Sequence, residues 1–450
     1  FRSKPVFLDN LMRALFFLLS AFFSGTSGIP GRTYEGHSLL RATPEDPDQL
    51  GFLRDFRASR PTMDFWTEPS AVGRPVDIRA APDEKFPVEE ELRRNGLHVR
   101  TIISDIQSLI DEEEWTSSAT GRMAWDDYQD LATIYEWVDS LALQHPETVT
   151  VESIGTTFQG REVKMARFNR RSGLNKTAAF VDASQLIQSP VIASRSAKDA
   201  PRADAVSGWT FACLTSTVRL LLACADIHAR EWITSATLTY VMNEILAMPE
   251  VLDLYDLHFV PVFNPDGFVY THTTVRSACN PHKVMMLEGG SSNDSCSETY
   301  HGPYAFSESE TQAVAQYLES MMDEVDWKLY LTIHSYGQVI LIPWGWTDVP
   351  PDNYDDLMEV SLATIEAIEE VNGTIFEISE LGSPGQELTG NTMDWAKGEV
   401  GIPFALSFEL RDNGETGFLL PPEQIRPSGE EILAGFLAML EGVRNKTVAF

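Results

Sequence analysis

Between Tyr34 and about Glu114 the apolar positions of the chain alternate between strand-like and helix-like spacing. His37–Arg41, Met63–Trp66, Val76–Arg79 and His98–Ile103 read as short strands. Pro47–Phe56 and Phe86–Asn95 read as helices, the second stopped by Gly96. The order strand, helix, strand, strand, helix, strand predicts a ferredoxin-like split βαβ unit over residues 34–114. No catalytic cluster stands out in it. A polar connector ending at Arg122 follows, and a second unit begins at Met123. Trp125–Leu143 predicts an amphipathic helix, and Val149–Ile154 with Val163–Phe168 predicts paired strands about a Gln159-Gly160 turn. Ala179–Asp182 begins another strand. Leu257–Phe263 reads as a buried strand, and Trp327–Gly337 and Ala405–Asp412 as further apolar strands of an α/β sheet. Asn264-Pro265-Asp266-Gly267 is a strong turn signal.

Residues 184–225 break this pattern. The stretch has no Glu in a strongly acidic chain, carries Arg195, Lys198, Arg202 and Arg219 against Asp199 and Asp204, and holds Cys213 and Cys224. Joining its flanks would give Phe180-Val181-Asp182-Ala183-Asp226-Ile227-His228, one buried strand running into a polar loop. The segment therefore reads as an insertion, or a translated intron, with no catalytic role.

Composition narrows the function classes. With 450 residues and 43% apolar content the chain can bury more than one core. A net charge of −32 leaves no field that would attract phosphate, so nucleic acid is excluded as the expected partner. Four cysteines in this length do not make a disulfide framework, although one bridge is possible. Ala14–Phe23, preceded by Met12-Arg13 and followed by small residues to Gly28, is too short to span a bilayer, which needs about 20 residues. It reads as a secretory signal peptide over 12–28, and no membrane anchor is expected. Triplets at Asn175, Asn293, Asn372 and Asn445 fit glycan acceptors.

Candidate chemistry centres on Asp226-Ile-His-Ala-Arg-Glu-Trp232, where His228 and Glu231 sit three residues apart. The following Ile233, Leu238, Val241, Met242, Ile245 and Leu246 give one apolar helical face. Imidazole and carboxylate suit a zinc ion, and a catalytic zinc needs a third protein ligand with one position left open. Taken alone, His-x-x-Glu is more often an ordinary polar helix start. His334 closes a buried strand, where ligands of open α/β sheets collect. His258, His272, His282 and His301 lack that placement and read as surface or core imidazoles. Glu409 is an acid among apolar residues near a strand end, either functional or in a structural ion pair.

Asp226–Trp232, Asn264–Phe268, His334-Ser335-Tyr336-Gly337, Phe408–Asp412 and Gly417-Phe418-Leu419-Leu420-Pro421 together resemble the pancreatic-type metallocarboxypeptidases, in order and in spacing. The resemblance runs from about Tyr34 onward. It implies a secreted, monomeric zymogen with an inhibitory activation domain over 34–114 and a connector over 115–122 cut after Arg122 by a trypsin-like protease. The catalytic domain, over 123–444, would have a mixed sheet of the eight-stranded type flanked by helices. His228, Glu231 and His334 would hold one zinc, and Glu409 would be the general base. Arg230, Ser335 and Tyr336 would bind the peptide C-terminus that is the substrate. Met393 would form the pocket floor; its apolar side chain implies an A-type preference for aromatic or aliphatic C-terminal residues. The chain departs from the family between 277 and 292. Cys279 stands at the place of the carbonyl-polarising arginine, no Asn-Arg pair is present, and the acid that steadies the first histidine is missing. Gln386 stands where the family has a mobile tyrosine. Losing one oxyanion donor costs about 100- to 1,000-fold in rate. The alternative reading is therefore a zinc-binding pseudoenzyme acting as a binding protein.

Overall fold

The computed structural model describes residues 34–60, 63–67, 69–112, 123–170, 177–182, 221–224, 228–273, 304, 306–382 and 390–447. The signal peptide, Arg122, nearly all of the 184–225 segment, Cys279 with the rest of 277–292, and Gln386 lie outside the described residues. No helix among the described residues is long and apolar enough to cross a membrane.

The N-terminal unit forms as its pattern predicts. Its strands are β1 (Ser38–Thr43), β2 (Asp64–Phe65), β3 (Val76–Ala80) and β4 (His98–Ile103). They make an antiparallel sheet in the order β2-β3-β1-β4. Helices Pro47–Ala58 and Lys85–Arg94 join them. Asp46 caps the first helix by accepting from the Gln49 amide at 2.8 Å, with Pro47 pre-set at the first position. Leu40, Leu53, Phe56, Ile78 and Leu92 fill the core.

The second unit is built on a larger sheet. Its strands are β5 (Val149–Thr156), β6 (Glu162–Phe168), β7 (Thr177–Asp182), β8 (Leu221–Cys224), β9 (Tyr255–Val260), β10 (Trp327–Ser335), β11 (Val339–Ile342), β12 (Glu377–Glu380) and β13 (Phe404–Leu410). Eight of them run in the order β12-β11-β13-β10-β7-β9-β6-β5, with parallel and antiparallel neighbours mixed. The ninth, β8, is off that path. A strand has two edges, and β6 takes one of those of β9. Both β7 and β8 register in parallel against the same β9 residues, Leu257 to Phe259, and β8 also lies against β7 and β10. They are two candidates for one place in the sheet.

Two helices differ from the sequence expectation. The first starts at Leu131 rather than Trp125, because Asp130 turns out of helical geometry and its carboxylate accepts from the Thr133 amide at 2.7 Å. The other, Trp232–Ile245, is buried on nearly every side instead of along one face. Its polar positions tolerate this because their hydroxyls are satisfied. Thr234 and Thr239 donate to the Glu231 and Ser235 carbonyls, and Thr237 bonds Ser428 at 3.0 Å. Ser428 sits on helix Ile425–Thr447, which packs close because Gly429 has no side chain; a β-carbon there would come within 2.5 Å of the Tyr240 ring.

Candidate metal centre

The turn before helix Trp232–Ile245 places His228 and Glu231. The Glu231 amide donates to the His228 carbonyl at 2.9 Å, folding the four residues back on themselves. Glu231 stands at the helix N-cap, yet its carboxylate caps nothing. It reaches inward instead, lying 2.5 Å from Nδ1 of His228 and 3.2 Å from Nδ1 of His334, and accepting from the Ser335 amide at 3.1 Å. His334 comes from the C-terminal end of β10, 103 residues away. One donor atom from each of the three lies within 4.8 Å of the others. Glu231 and His334 are buried, whereas the His228 side chain is 40% exposed and faces the opening. Burial would raise the Glu231 carboxyl, but the two imidazoles hold it below the usual carboxylate range. Two imidazoles and one carboxylate, converging with one member open to solvent, suit a zinc ion. Thr332 Oγ1 lies 3.0 Å from the far nitrogen, Nε2, of His334.

Glu409 lies beside this group. Parallel pairing of β10 with β13 puts it directly opposite His334, so both side chains leave the sheet on the same face. Burial pushes its carboxyl up to about 8, with His334 opposing and the Glu231 charge adding. A carboxyl raised that far holds its proton up to neutral pH until a neighbouring cation draws it down, and so exchanges it in the range where a general acid–base group works.

The remaining sequence candidates fall into two groups. Arg230, Ser335 and Tyr336 border the centre, and Ser335 Oγ is buried with no hydrogen-bond partner among the described residues. Met393 is buried on helix Thr392–Gly398, which packs against β10 and β13. Of the other histidines, His258 is a core residue between Asp256 and the Tyr317 hydroxyl, and His272 stacks on Trp232 at 3.7 Å. His282 and His301 lie outside the described residues.

The sequence reading found no functional cluster in the N-terminal unit, and here the structure adds to it. Arg230 and Tyr336 are already engaged by that unit. Arg230 pairs with Asp64 at 3.0 Å, and the Tyr336 hydroxyl donates to Asp77 at 2.8 Å. Asp64 is also held by Arg79, and Asp77 by Arg41. Trp66, Phe418 and Tyr336 pack ring against ring, and the Arg230 guanidinium lies 4.2 Å over Phe418. Gly417 makes room for this contact: its φ of +60° is left-handed, and a β-carbon would sit 3.0 Å from the Trp66 and Tyr336 rings. The only local hint was an acid next to aromatics in Asp64-Phe65-Trp66.

Comparison with known proteins agrees with this architecture. The profile of a family described as zinc carboxypeptidase matches residues 134–198 and 215–435, and one described as carboxypeptidase activation peptide matches 40–113. Carboxypeptidase A1 of Mus musculus is 29% identical over 94% of this chain and 96% of its own length. Zinc carboxypeptidase A 1 of Drosophila melanogaster is 29% identical over 97% and 99%. The crystal structure of the carboxypeptidase A from Helicoverpa armigera superposes with a TM-score of 0.74 at 21% identity, covering 92% of this chain and 99% of that one.

Proposed function

The chain belongs to the zinc carboxypeptidase family and carries its activation peptide, and from that premise we propose how this zymogen works and what it cleaves. His228, Glu231 and His334 hold one zinc ion, Glu409 moves the proton, and Arg230, Ser335 and Tyr336 take the C-terminal end of a peptide. The observation that carries this reading is the convergence of His228 and Glu231 with His334, 103 residues on, within 4.8 Å, next to a half-buried Glu409 whose carboxyl is raised to about 8. A zinc ion in that group supplies Lewis acidity toward oxygen. Glu409 takes a proton from the attacking water on its carboxylate and returns it to the leaving amine. Arg230 offers two N–H groups in the fork that matches a carboxylate. The test is hydrolysis of a blocked dipeptide with C-terminal Phe by the cleaved protein, abolished by a chelator and restored by zinc.

We further propose a secreted protein with A-type preference, activated by cleavage after Arg122. Met123 is buried in the catalytic core, which supports a domain boundary immediately before it. Met393 at the pocket floor gives an apolar base suited to aromatic or aliphatic side chains. Met393→Asp should move the preference toward C-terminal Lys or Arg. Competition between C-terminal Phe and C-terminal Arg substrates reads this, and an unchanged ratio removes Met393 from the specificity pocket.

Latency follows from the engaged side chains. Asp64 occupies the guanidinium that a substrate carboxylate needs, and truncating one partner of a buried pair costs about 2–5 kcal/mol. Asp64→Asn should therefore raise hydrolysis by the uncleaved chain roughly tenfold or more, while leaving the cleaved enzyme unchanged. Equal rates for mutant and parent zymogens would remove Asp64 from the latency device. Burial would raise Asp64, but Arg230 and Arg79 bring it down to about 2 from an ordinary 3.8. The clasp is thus at full strength above the ordinary value and loosens as pH falls toward 2.

The pseudoenzyme reading is favoured by one observation, the absence of an Asn-Arg pair and of a carbonyl-polarising arginine in 277–292. A cleaved protein with one zinc per chain that leaves every C-terminal substrate intact would establish it.

A further inference from the structure

The three metal-binding candidates are not equally held. The nitrogens of His228 and His334 that face Glu231 are both Nδ1. At His334 the opposite nitrogen, Nε2, meets Thr332 Oγ1 at 3.0 Å, and the two residues are 1% and 2% exposed. Among the described residues nothing comparable meets Nε2 of His228, whose side chain is largely open. An imidazole can give a lone pair from only one nitrogen while the other carries its hydrogen, so a bond at the far nitrogen selects the metal-binding tautomer and fixes the ring plane.

We propose that Thr332 is the positioning residue of the centre. Its hydroxyl oxygen accepts the Nε2 hydrogen of His334 and so presents Nδ1 toward Glu231 and the ion. This rests on the zinc-site reading above. Residues 332 and 334 share one face of β10, since side chains two apart on a strand point the same way. The strand itself therefore sets the distance. Water cannot replace the hydroxyl easily at a site this buried. With the His228 side chain 40% exposed, this contact and the Ser335 amide on Glu231 are the ones that orient the buried ligands.

The test compares Thr332→Val, which keeps the shape and drops the oxygen, with Thr332→Ser, which keeps the oxygen. Zinc affinity of the full chain is read by competition with a fluorescent chelator, alongside the melting temperature of the zinc-free forms. The Val variant should bind zinc about 10- to 100-fold more weakly, and the Ser variant within about 3-fold of the parent. Val binding as tightly as Ser would overturn the proposal. Should the Val chain fail to fold, ¹⁵N spectroscopy of histidine-labelled, zinc-loaded parent protein decides. A hydrogen on Nε2 of His334 is expected, and a hydrogen on Nδ1 overturns the proposal. Failure of the parent to bind any zinc would instead reject the metal-centre reading itself.

Discussion

Glu231→Gln is expected to strip the protein of its metal while leaving the fold. The substitution keeps size and shape but removes the one negative charge between two imidazoles and weakens the acceptor for the Ser335 amide. Breaking a buried charge pair costs about 3–5 kcal/mol, which is roughly 100- to 5,000-fold in affinity. After dialysis against a weak chelator, metal analysis should find one zinc per parent chain and almost none in the variant. The same variant should melt below the zinc-free parent, since the His228, His334 and Ser335 contacts weaken with the charge, so zinc is assayed at a temperature where circular dichroism shows both folded. Full zinc occupancy in Glu231→Gln would remove Glu231 from the ligand set.

Glu409→Gln should give the opposite pattern, with zinc retained and turnover lost. Glutamine fits the same half-buried place beside His334 but cannot take a proton, and loss of general acid–base catalysis costs about 100- to 10,000-fold. The measurement is kcat/KM of the Arg122-cleaved protein on a blocked dipeptide with C-terminal Phe, beside its zinc content. A variant as active as the parent would assign the proton transfer elsewhere. Together the two substitutions separate holding the ion from using it.

The sequence made legible whatever local patterns encode. The N-terminal unit appears strand by strand because its apolar residues alternate with the right periods and Gly96 and Asp46 mark its helix ends. His334 and Glu409 were visible because each is a polar residue closing an otherwise apolar strand. The contacts that close the site over were not. Arg230 with Asp64 and Tyr336 with Asp77 span 166 and 259 residues, and neither acid breaks the pattern of its own strand. Thr332 was passed over for a similar reason, since a threonine in a strand is ordinary until the residue two places along the same strand is known to be a ligand. The helix at Trp232–Ile245 misled in the other direction. Its hydroxyls look like a solvent face in one dimension, but bonded to their own backbone they can be packed away.

The shared edge of β9 has a consequence for handling this protein. If either of β7 and β8 were displaced from that edge by the other, it would expose a short ribbon of unpaired backbone donors and acceptors. Such a ribbon pairs readily with the same ribbon of another molecule, and no proline or lysine interrupts it. Displacement at β9 would thus give the chain a seed for self-association, close to His228 where the displaced strand is β8.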